Sequence, residues 1–222
     1  MAANSGGKTY HHGDLRNALI CAAVDLATEG GPERVVLREA ARRVGVSPTA
    51  AYRHFDGRGE LLHTVRTHAQ RVLAEAMEHA AAREPGADDP ALAAERRLGA
   101  LCRAYVGFAV EHPGLYRAAF CAPRPTGADL TAGEFRAPGP AQDRQPAEPE
   151  IRAFTLLREA LEALAGNPRP GARAAGGAAA WSAVHGLSLL LLDGPLRRLP
   201  AQRRNAVVET TLAMVVSGTR TS

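Results

Sequence analysis

Apolar residues recur every three or four positions along most of the chain, a period typical of α-helices that bury one face. Ala and Leu hold most of these positions, where Val, Ile, Phe and Tyr would indicate strands. We therefore expect an all-α fold. The pattern predicts helices over residues 15–30, 37–44, 48–55, 59–82, 91–111, 114–120, 150–165, 172–192 and 201–216.

Two stretches rich in Pro and Gly interrupt the helical pattern, at 84–90 and at 122–149. The second has no apolar face to bury against the entropy of ordering it, so we expect a mobile loop there. The apolar run LSLLLLDGPL, residues 187–196, is far too short to span a bilayer, and the start of the chain lacks the apolar core of a signal peptide. We expect no membrane partner and a cytoplasmic location.

Two of the predicted helices, 37–44 and 48–55, are short and lie on either side of the sequence Gly-Val-Ser, Gly45 to Ser47. Neither helix is long enough to be stable alone. Ser47 is a favoured N-cap residue, and Pro48 takes the first helical position, where its missing N–H costs nothing. The pair predicts a helix-turn-helix whose second helix lies in the DNA major groove.

The second helix of this motif has an inner and an outer face. Ala51 and Phe55 are four residues apart and are expected to point inward. On the outer face, Arg53 can donate two parallel hydrogen bonds to guanine, and Thr49 and Ala50 can contact a thymine methyl group. The candidate DNA contacts in this helix and its cap, with Tyr52 and His54 suited to phosphate oxygens, are Ser47, Pro48, Thr49, Ala50, Tyr52, Arg53 and His54.

Other residues before and after this helix add candidate DNA contacts. Arg58, at the start of the next helix, is expected to contact a phosphate together with the helix N-terminal N–H groups, or else to be a plain solvated side chain. Arg38 has the same two interpretations. Lys8, Tyr10 and His12 are expected to touch the DNA backbone or minor groove, with anchoring of the first helix as the alternative for Tyr10 and His12.

These residues resemble a known family. The sequence Gly-Val-Ser, then four residues, then Tyr-Arg-His-Phe, at 45–55, is followed by Arg58, and the pattern is similar to the TetR family of one-component bacterial transcription regulators. The sequences YHHGDLR at 10–16, AYVGFAVEHPGLYRAAF at 104–120 and WSAVHG at 181–186 resemble a subgroup whose C-terminal domain carries a Trp-His-Gly signature.

The resemblance implies an all-helical homodimer that binds DNA and a ligand. The implied parts are a flexible N-terminal arm at 1–9, a helix-turn-helix DNA-binding domain at 10–58, a connecting helix at 59–82, and a ligand-binding and dimerisation domain at 83–222. One departure is Val36, which stands where the family often has a capping Thr. The second helix is therefore expected to lack a side-chain acceptor for its first free N–H groups.

Most of the remaining aromatic residues fall in the C-terminal part of the chain. Trp181 and His185 are four residues apart and share a helix face, and Gly186 permits the close approach of another helix. One interpretation is a buried Trp stacked on a core His. The other makes them walls of a ligand pocket, which are typically apolar and aromatic with a few polar groups. The candidate pocket residues are Cys102, Tyr105, Phe108, Tyr116, Phe120, Phe154, Trp181 and His185.

The run LSLLLLDGPL is apolar on every side of its helix, which predicts burial on more than one face. We expect the partner to be a second copy of the chain, in an isologous four-helix contact that includes the last helix, 201–216. The alternative is a core within one chain. The candidate interface residues are Leu187, Leu190, Leu191, Val207, Leu212 and Val216.

Charge, cysteines and motifs narrow the function further. The net charge of +4 and the pI near 9.3 permit a nucleic-acid partner without requiring one. The three cysteines have no Cys-x-x-Cys spacing, so neither a disulfide framework nor a zinc site is indicated. The sequence has no nucleotide-binding, hydrolase or metalloprotease motif, so we expect no enzyme activity, cofactor or metal.

These observations predict a ligand-responsive transcription regulator, and a repressor in particular. It would bind a palindromic DNA operator as a homodimer and be released by a small apolar or aromatic effector. The alternative is a DNA-binding regulator with no small-molecule effector, controlled by a protein partner or by its own abundance. The two differ in whether a small hydrophobic molecule stabilises the folded chain.

Overall fold

The structure, a computed structural model, describes residues 12–120, 151–165 and 170–220. Within these ranges it contains nine α-helices, one short 3₁₀ helix and no strand. The all-α prediction is confirmed.

Some predicted features fall outside the described residues. These are the arm at 1–9 with Lys8, the residue Tyr10, and the loop at 122–149. His12 belongs to the first helix by its backbone, but its side chain is not described. The DNA contacts expected of these three residues stay predictions.

The helices follow the predicted pattern closely, most ends lying within two residues of the expected positions. They are α1 (His12–Gly30), α2 (Leu37–Val44), α3 (Pro48–Ala51), α4 (Arg58–Ala82), α5 (Pro90–Glu111), α6 (Pro113–Phe120), α7 (Arg152–Ala165), α8 (Pro170–Leu192) and α9 (Ala201–Arg220), with the 3₁₀ helix Pro32–Arg34 between α1 and α2.

The α3 helix is shorter than predicted, since it ends at Ala51 rather than at Phe55. Beyond Ala51 the backbone has tighter hydrogen bonds between residues three apart, such as those from Arg53 N to Ala50 O and from His54 N to Ala51 O. Such 3₁₀-type turns are frequent at helix ends. The residues after Ala51 therefore stay wound against α3 although they are not α-helical.

The turn between α2 and α3 is closed by hydrogen bonds at both ends. Gly45 has a left-handed backbone with φ of 77°. Val46 N donates to Ala41 O at 3.0 Å, as in a Schellman motif. Ser47 then caps α3, because its Oγ accepts a hydrogen bond from Ala50 N at 3.2 Å. The predicted sharp start of α3 is confirmed.

The start of α2 has no such cap. Val36 takes the N-cap position with an extended backbone, φ −128° and ψ 127°, and makes no side-chain capping hydrogen bond. Its side chain is 41% exposed. The predicted absence of a side-chain acceptor at this helix start is confirmed.

Helix α4 packs on helices from both the N-terminal and the C-terminal part of the chain. It contacts α1 on one side and α5, α6 and α7 on the other, and its buried side chains run from Leu61 to Ala81. Helices α5, α7 and α8 contact one another, and α9 packs on all three. Because α4 shares its core with both ends, the division of the chain at 58 and 82 stays a prediction.

The apolar run at 187–196 covers the end of α8 and the turn after it. Several of its leucines are buried within the chain, and Ser188, which is also fully buried, donates from Oγ to Val184 O at 2.8 Å. In the ranges that the structure describes, no helix is long and apolar enough to cross a membrane.

Candidate nucleic-acid interface and aromatic cluster

The helix-turn-helix has the buried face and the exposed face that its sequence predicts. Ala51 is fully buried and Phe55 is 1% exposed, so both lie in the core. The candidate DNA contacts lie together on the opposite surface. Ser47, Pro48, Thr49, Tyr52 and Arg53 are exposed, and Ala50 and His54 are partly exposed.

Phe55 is held by contacts that the sequence pattern does not reveal. The Arg16 guanidinium lies 4.5 Å from the centre of the Phe55 ring, and its Nη2 pairs with Glu60 Oε1 at 2.9 Å. The other Glu60 oxygen, Oε2, accepts a hydrogen bond from Asp56 N at 2.8 Å. The only signal in the sequence is an acidic residue in the first turn of α4, where the helix dipole favours it. We call residues 48–55 the recognition segment. These contacts hold its end between α1 and α4.

Arg58 is bonded to the protein backbone. Its Nε donates to Val35 O at 3.0 Å and its Nη2 donates to Pro32 O at 3.0 Å, and the side chain is only partly exposed. The interpretation of Arg58 as a plain solvated side chain is therefore wrong. Its guanidinium holds the segment between α1 and α2 on the start of α4, while a phosphate contact from it stays a prediction.

The arginines of α2 differ in their partners. Arg42 pairs with Glu39 at 2.7 Å, and Arg43 pairs with Glu29 of α1 at 2.6 Å. The hydrogen bond from Arg42 lowers the pKa of Glu39 to about 2. Arg38 is exposed and forms no ion pair with the residues that the structure describes. Its charge is therefore the one on α2 that is best placed to attract a phosphate.

Six of the candidate pocket residues meet in one place. Trp181 and His185 are stacked, with ring centres 5.5 Å apart and planes 10° from parallel. Phe120 and Phe154 meet the Trp181 ring edge-on, at 5.6 and 5.7 Å between centres. We call this the aromatic cluster. Its members are Tyr105 of α5, Tyr116 and Phe120 of α6, Phe154 of α7, and Trp181 and His185 of α8.

The polar centre of the aromatic cluster is His185. The Tyr105 and Tyr116 hydroxyl oxygens are each 2.8 Å from His185 Nδ1 and 3.3 Å from each other. Both phenols are fully buried. Burial raises the pKa of Tyr105 and lowers the pKa of His185, so both side chains are neutral near neutral pH. The rings of Trp181 and His185 are stacked as one interpretation expects, but both residues are partly exposed rather than buried. A ligand pocket at this cluster stays a prediction.

Two candidate pocket residues lie apart from these ring contacts. Phe108 packs on His112, with ring centres 5.1 Å apart, and lines a cleft of about 410 Å³ between α4 and α5. Cys102 is fully buried, and burial raises its pKa to about 12, so its thiol is unreactive. A second cleft, of about 340 Å³, lies between α5 and α9. No member of the aromatic cluster lines either cleft.

Metal binding has no support in the described side chains. Among the residues whose side chains the structure describes, 15–120, 151–165 and 176–218, no group of three His, Cys, Asp or Glu residues is placed to hold a metal ion.

Helix α6 joins the aromatic cluster to the DNA-binding helices. Gly114 lies against the end of α1, where an added Cβ would be 2.1 Å from Ala27 O. Two residues later, Tyr116 reaches His185. The same helix packs on α4. A shift of α6 would therefore change its contacts with the aromatic cluster, with α1 and with α4 together.

Two family models match the chain. One, for bacterial regulatory proteins of the tetR family, matches residues 19–65, and the other, for the tetracyclin repressor-like C-terminal domain, matches residues 98–215. The second alone covers more than half of the chain. The chain belongs to the TetR family. The resemblance carried by residues 45–55 is confirmed, while the Trp-His-Gly subgroup stays a prediction.

Solved structures share this TetR-family fold. The chain is similar to a protein of unknown function from Rhodococcus sp. RHA1, with 26% identity, a TM-score of 0.66, and coverage of 96% of this chain and 98% of that one. It is similar to a protein assigned as a tetR family transcription regulator from Shewanella sp. PV-4, with 15% identity, a TM-score of 0.55, and coverage of 92% and 97%. It is also similar to a TetR variant from Acinetobacter baumannii AYE in complex with minocycline, with 18% identity, a TM-score of 0.54, and coverage of 94% and 95%. No curated protein matches the sequence significantly.

In this TetR-family chain the candidate dimer residues divide into two groups. Leu187 and Leu191 are each 6% exposed and Leu212 is 5% exposed. The core of the single chain already covers these three, so the alternative interpretation holds for them. The surface left for a second copy belongs to Leu190, which is 44% exposed, and to Val207 and Val216, which are partly exposed.

Two further positions on α8 and α9 stand out. Among the residues that the structure describes, nothing beyond the backbone of its own helix lies within 4 Å of a Cβ added at Gly186. Met214 of α9 is 72% exposed, and the sequence pattern does not single it out. We call Gly186, Leu190 and Met214 the α8/α9 face.

Proposed function

We propose that the chain is a ligand-responsive transcription regulator, acting as a repressor, that binds a palindromic DNA operator as a homodimer and is released by a small apolar or aromatic effector. The observation that carries this proposal is the exposed outer surface of α3 on a braced helix-turn-helix, in a chain of the TetR family. The proposed role is binding rather than catalysis.

The outer surface of α3 and of the turn after it is proposed to lie in the major groove of DNA. In the proposed complex, Arg53 donates to guanine O6 and N7, while Thr49 and Ala50 contact a thymine methyl group. Tyr52 and Arg38 contact phosphates, which set the register without reading sequence. A two-fold dimer would place its two recognition helices about 34–36 Å apart, one turn of DNA. The operator is then a near-palindrome.

The homodimer is proposed to form through the α8/α9 face. Leu190 and Met214 expose apolar surface that a second copy would bury, and Gly186 has open space above it. A two-fold axis brings the same patch of both copies together, and the resulting isologous contact is closed. The same axis supplies the symmetry that a palindromic operator requires.

The effector is proposed to bind at the aromatic cluster. Aromatic walls around one polar centre are typical of ligand sites. A related fold, the TetR variant from Acinetobacter baumannii AYE, was solved in complex with minocycline, which supports a small-molecule effector for this chain. Release of DNA needs only a modest coupling, because about 1–3 kcal/mol changes an affinity about 5- to 150-fold. The effector must bind the two conformations unequally.

The alternative is a DNA-binding regulator without a small-molecule effector. The packed state of the aromatic cluster favours it, since ring centres 5–6 Å apart leave no gap for a ligand until a side chain moves. A thermal-shift panel of hydrophobic compounds separates the two, because any ligand that binds only the folded state raises its stability. If no compound in the panel raises the melting temperature, control by a partner protein or by abundance is favoured.

Capture of genomic DNA by the purified full chain tests the DNA role. Fragmented DNA from the source genome is captured at several salt concentrations and sequenced. We expect enrichment of one near-palindromic site that survives moderate salt, because nonspecific binding falls steeply as salt rises. Uniform capture of all fragments at every salt concentration would contradict the proposed regulator.

A further inference from the structure

The two tyrosine hydroxyls beside His185 bear on which ring nitrogen carries the proton. Two phenol hydroxyls, of Tyr105 and Tyr116, lie 2.8 Å from Nδ1. An unprotonated Nδ1 can accept from both hydroxyls, and the single proton of the neutral ring then lies on Nε2.

The ring of His185 is also neutral. Desolvation by burial lowers its pKa, and no charged residue contributes to that shift. A neutral imidazole carries one proton, which lies on Nε2 when Nδ1 is the acceptor. Among the residues that the structure describes, Nε2 has no hydrogen-bond partner, and the ring is partly exposed. With its proton on Nε2, the partly exposed His185 ring has one N–H donor available to a ligand.

The walls around this donor are apolar. Phe120, Phe154 and Trp181 are partly exposed, and both Phe rings contact the Trp181 ring, while the two tyrosines are fully buried. No charge is close enough to perturb His185. A charged ligand would lose its hydration here without gaining a counter-charge, which is costly.

We infer that the effector is an uncharged, largely apolar molecule that lies against the rings of Phe120, Phe154 and Trp181 and has a hydrogen-bond acceptor that receives the proton on His185 Nε2. This inference rests on the proposed effector role of the aromatic cluster. A ligand held in this way contacts the His185 ring, whose other nitrogen, Nδ1, is hydrogen-bonded to Tyr116. Ligand binding is therefore coupled directly to α6.

Three probes of similar shape separate the chemical classes: 2-acetylnaphthalene with a neutral acceptor, 2-ethylnaphthalene without one, and the anion 2-naphthoate. Equilibrium dialysis with the full chain gives a Kd for each. We expect the ketone to bind about tenfold more tightly than either of the others, as one extra hydrogen bond allows. In His185→Phe, which keeps the aromatic bulk but lacks the donor, the ketone and the hydrocarbon should bind equally.

A second measurement reads the wild-type chain and needs a variant only for signal assignment. Nitrogen-15 NMR of the histidine rings in the wild-type chain, assigned by loss of one signal pair in His185→Gln, reports which nitrogen of His185 is protonated. We expect the proton on Nε2, with its signal shifted by the ketone and not by the hydrocarbon. A proton on Nδ1 would overturn the inference.

Other outcomes are equally decisive. Tightest binding of the anion, equal binding of all three probes by the wild type, or binding of none of them would overturn the inference. The proposed DNA role is tested separately, by the operator affinity of the same preparations without probe. Wild-type protein that binds its operator but fails to discriminate the probes leaves the regulator standing and removes the effector class.

Discussion

Gly114 packs on Ala27 so closely that a methyl group at position 114 would lie 2.1 Å from the Ala27 carbonyl oxygen. This contact seats α6 on the end of α1, the first helix of the DNA-binding end. Because Tyr116 of the same helix is hydrogen-bonded to His185, one short helix spans from the aromatic cluster to α1. The side chain missing at position 114 is what permits this approach.

Replacing Gly114 by Ala is therefore expected to destabilise the chain by about 1–3 kcal/mol, the usual cost of an overpacked contact. It should also weaken operator binding, since α1 has to shift away from its place beside the helix-turn-helix. Urea unfolding measures the stability, and fluorescence anisotropy with labelled operator DNA measures the affinity.

Gly107→Ala is the matched control for this prediction. Gly107 lies within α5, and an added Cβ there meets nothing within 4 Å. The Gly107→Ala variant should gain about 0.5–1 kcal/mol of stability from helix propensity, and its DNA affinity should be unchanged. If Gly114→Ala behaved like Gly107→Ala in both assays, the α6 to α1 contact would carry no such role.

Arg53 and Arg58 are five residues apart but should respond differently to removal. Arg53→Ala should cost about 1–3 kcal/mol of operator binding and relax the preference at one base position. Its side chain is exposed, so the stability of the chain should not change. Arg58→Ala should instead lower stability by about 1–3 kcal/mol, because two backbone carbonyls lose a charged donor.

Selection of binding sites from random DNA, together with urea unfolding, distinguishes these two roles. A phosphate contact from Arg58 would add a uniform loss of affinity and a smaller salt dependence. An equal loss on every sequence for Arg53→Ala would remove its role in reading a base.

These two arginines mark where sequence reasoning succeeds and where it ends. The spacing of Ala51 and Phe55 correctly gives the inner face of the recognition segment, and hence the exposure of Arg53. Nothing local distinguishes Arg58, whose partners Val35 and Pro32 lie more than twenty residues earlier in the chain. Only the packing of α4 on the segment after α1 reveals its structural contacts.

The aromatic cluster shows the same limit. Aromatic residues are few enough, 5% of the chain, for composition to nominate its members. Phe108 follows Tyr105 by three positions, which turns it about 60° around the helix axis, and it packs on His112 instead. The triad of Tyr105, Tyr116 and His185 joins three helices, and no spacing along the chain predicts it.

Val36→Thr is expected to stabilise the chain. Val36 already has the extended backbone of an N-cap residue but provides no acceptor, so a threonine hydroxyl could accept from the first free N–H groups of α2. The gain should be about 1 kcal/mol in urea unfolding. Ser47→Ala is the reciprocal control, since it removes an existing cap and should lose a similar amount. A Val36→Thr variant no more stable than the wild type would mean that the hydroxyl fails to reach α2.

The stability of the chain should fall on acidification because His185 is partly buried. Its pKa in the folded chain is below the ordinary 6.5, so the unfolded chain binds the proton first as pH falls. The free energy of unfolding is therefore highest above about pH 6.5 and decreases below it until the folded-state pKa is reached. His185→Phe should show a smaller decrease when both proteins are unfolded in urea across this window. Identical slopes would mean that His185 titrates normally in the folded chain.

Gly186→Leu tests the proposed dimer without disturbing the fold of one chain. A Cβ at position 186 meets nothing within 4 Å, so a longer side chain should be tolerated within the protomer. In the proposed dimer the same side chain projects into the second copy and forces the two α8/α9 faces apart.

Analytical ultracentrifugation should show a dimer for the wild type and for Gly186→Ala, and a shift to monomer for Gly186→Leu. Operator affinity should fall with it, because one recognition helix reads only half of a palindrome. A stable Gly186→Leu dimer with full DNA affinity would place the two-fold contact elsewhere on the molecule.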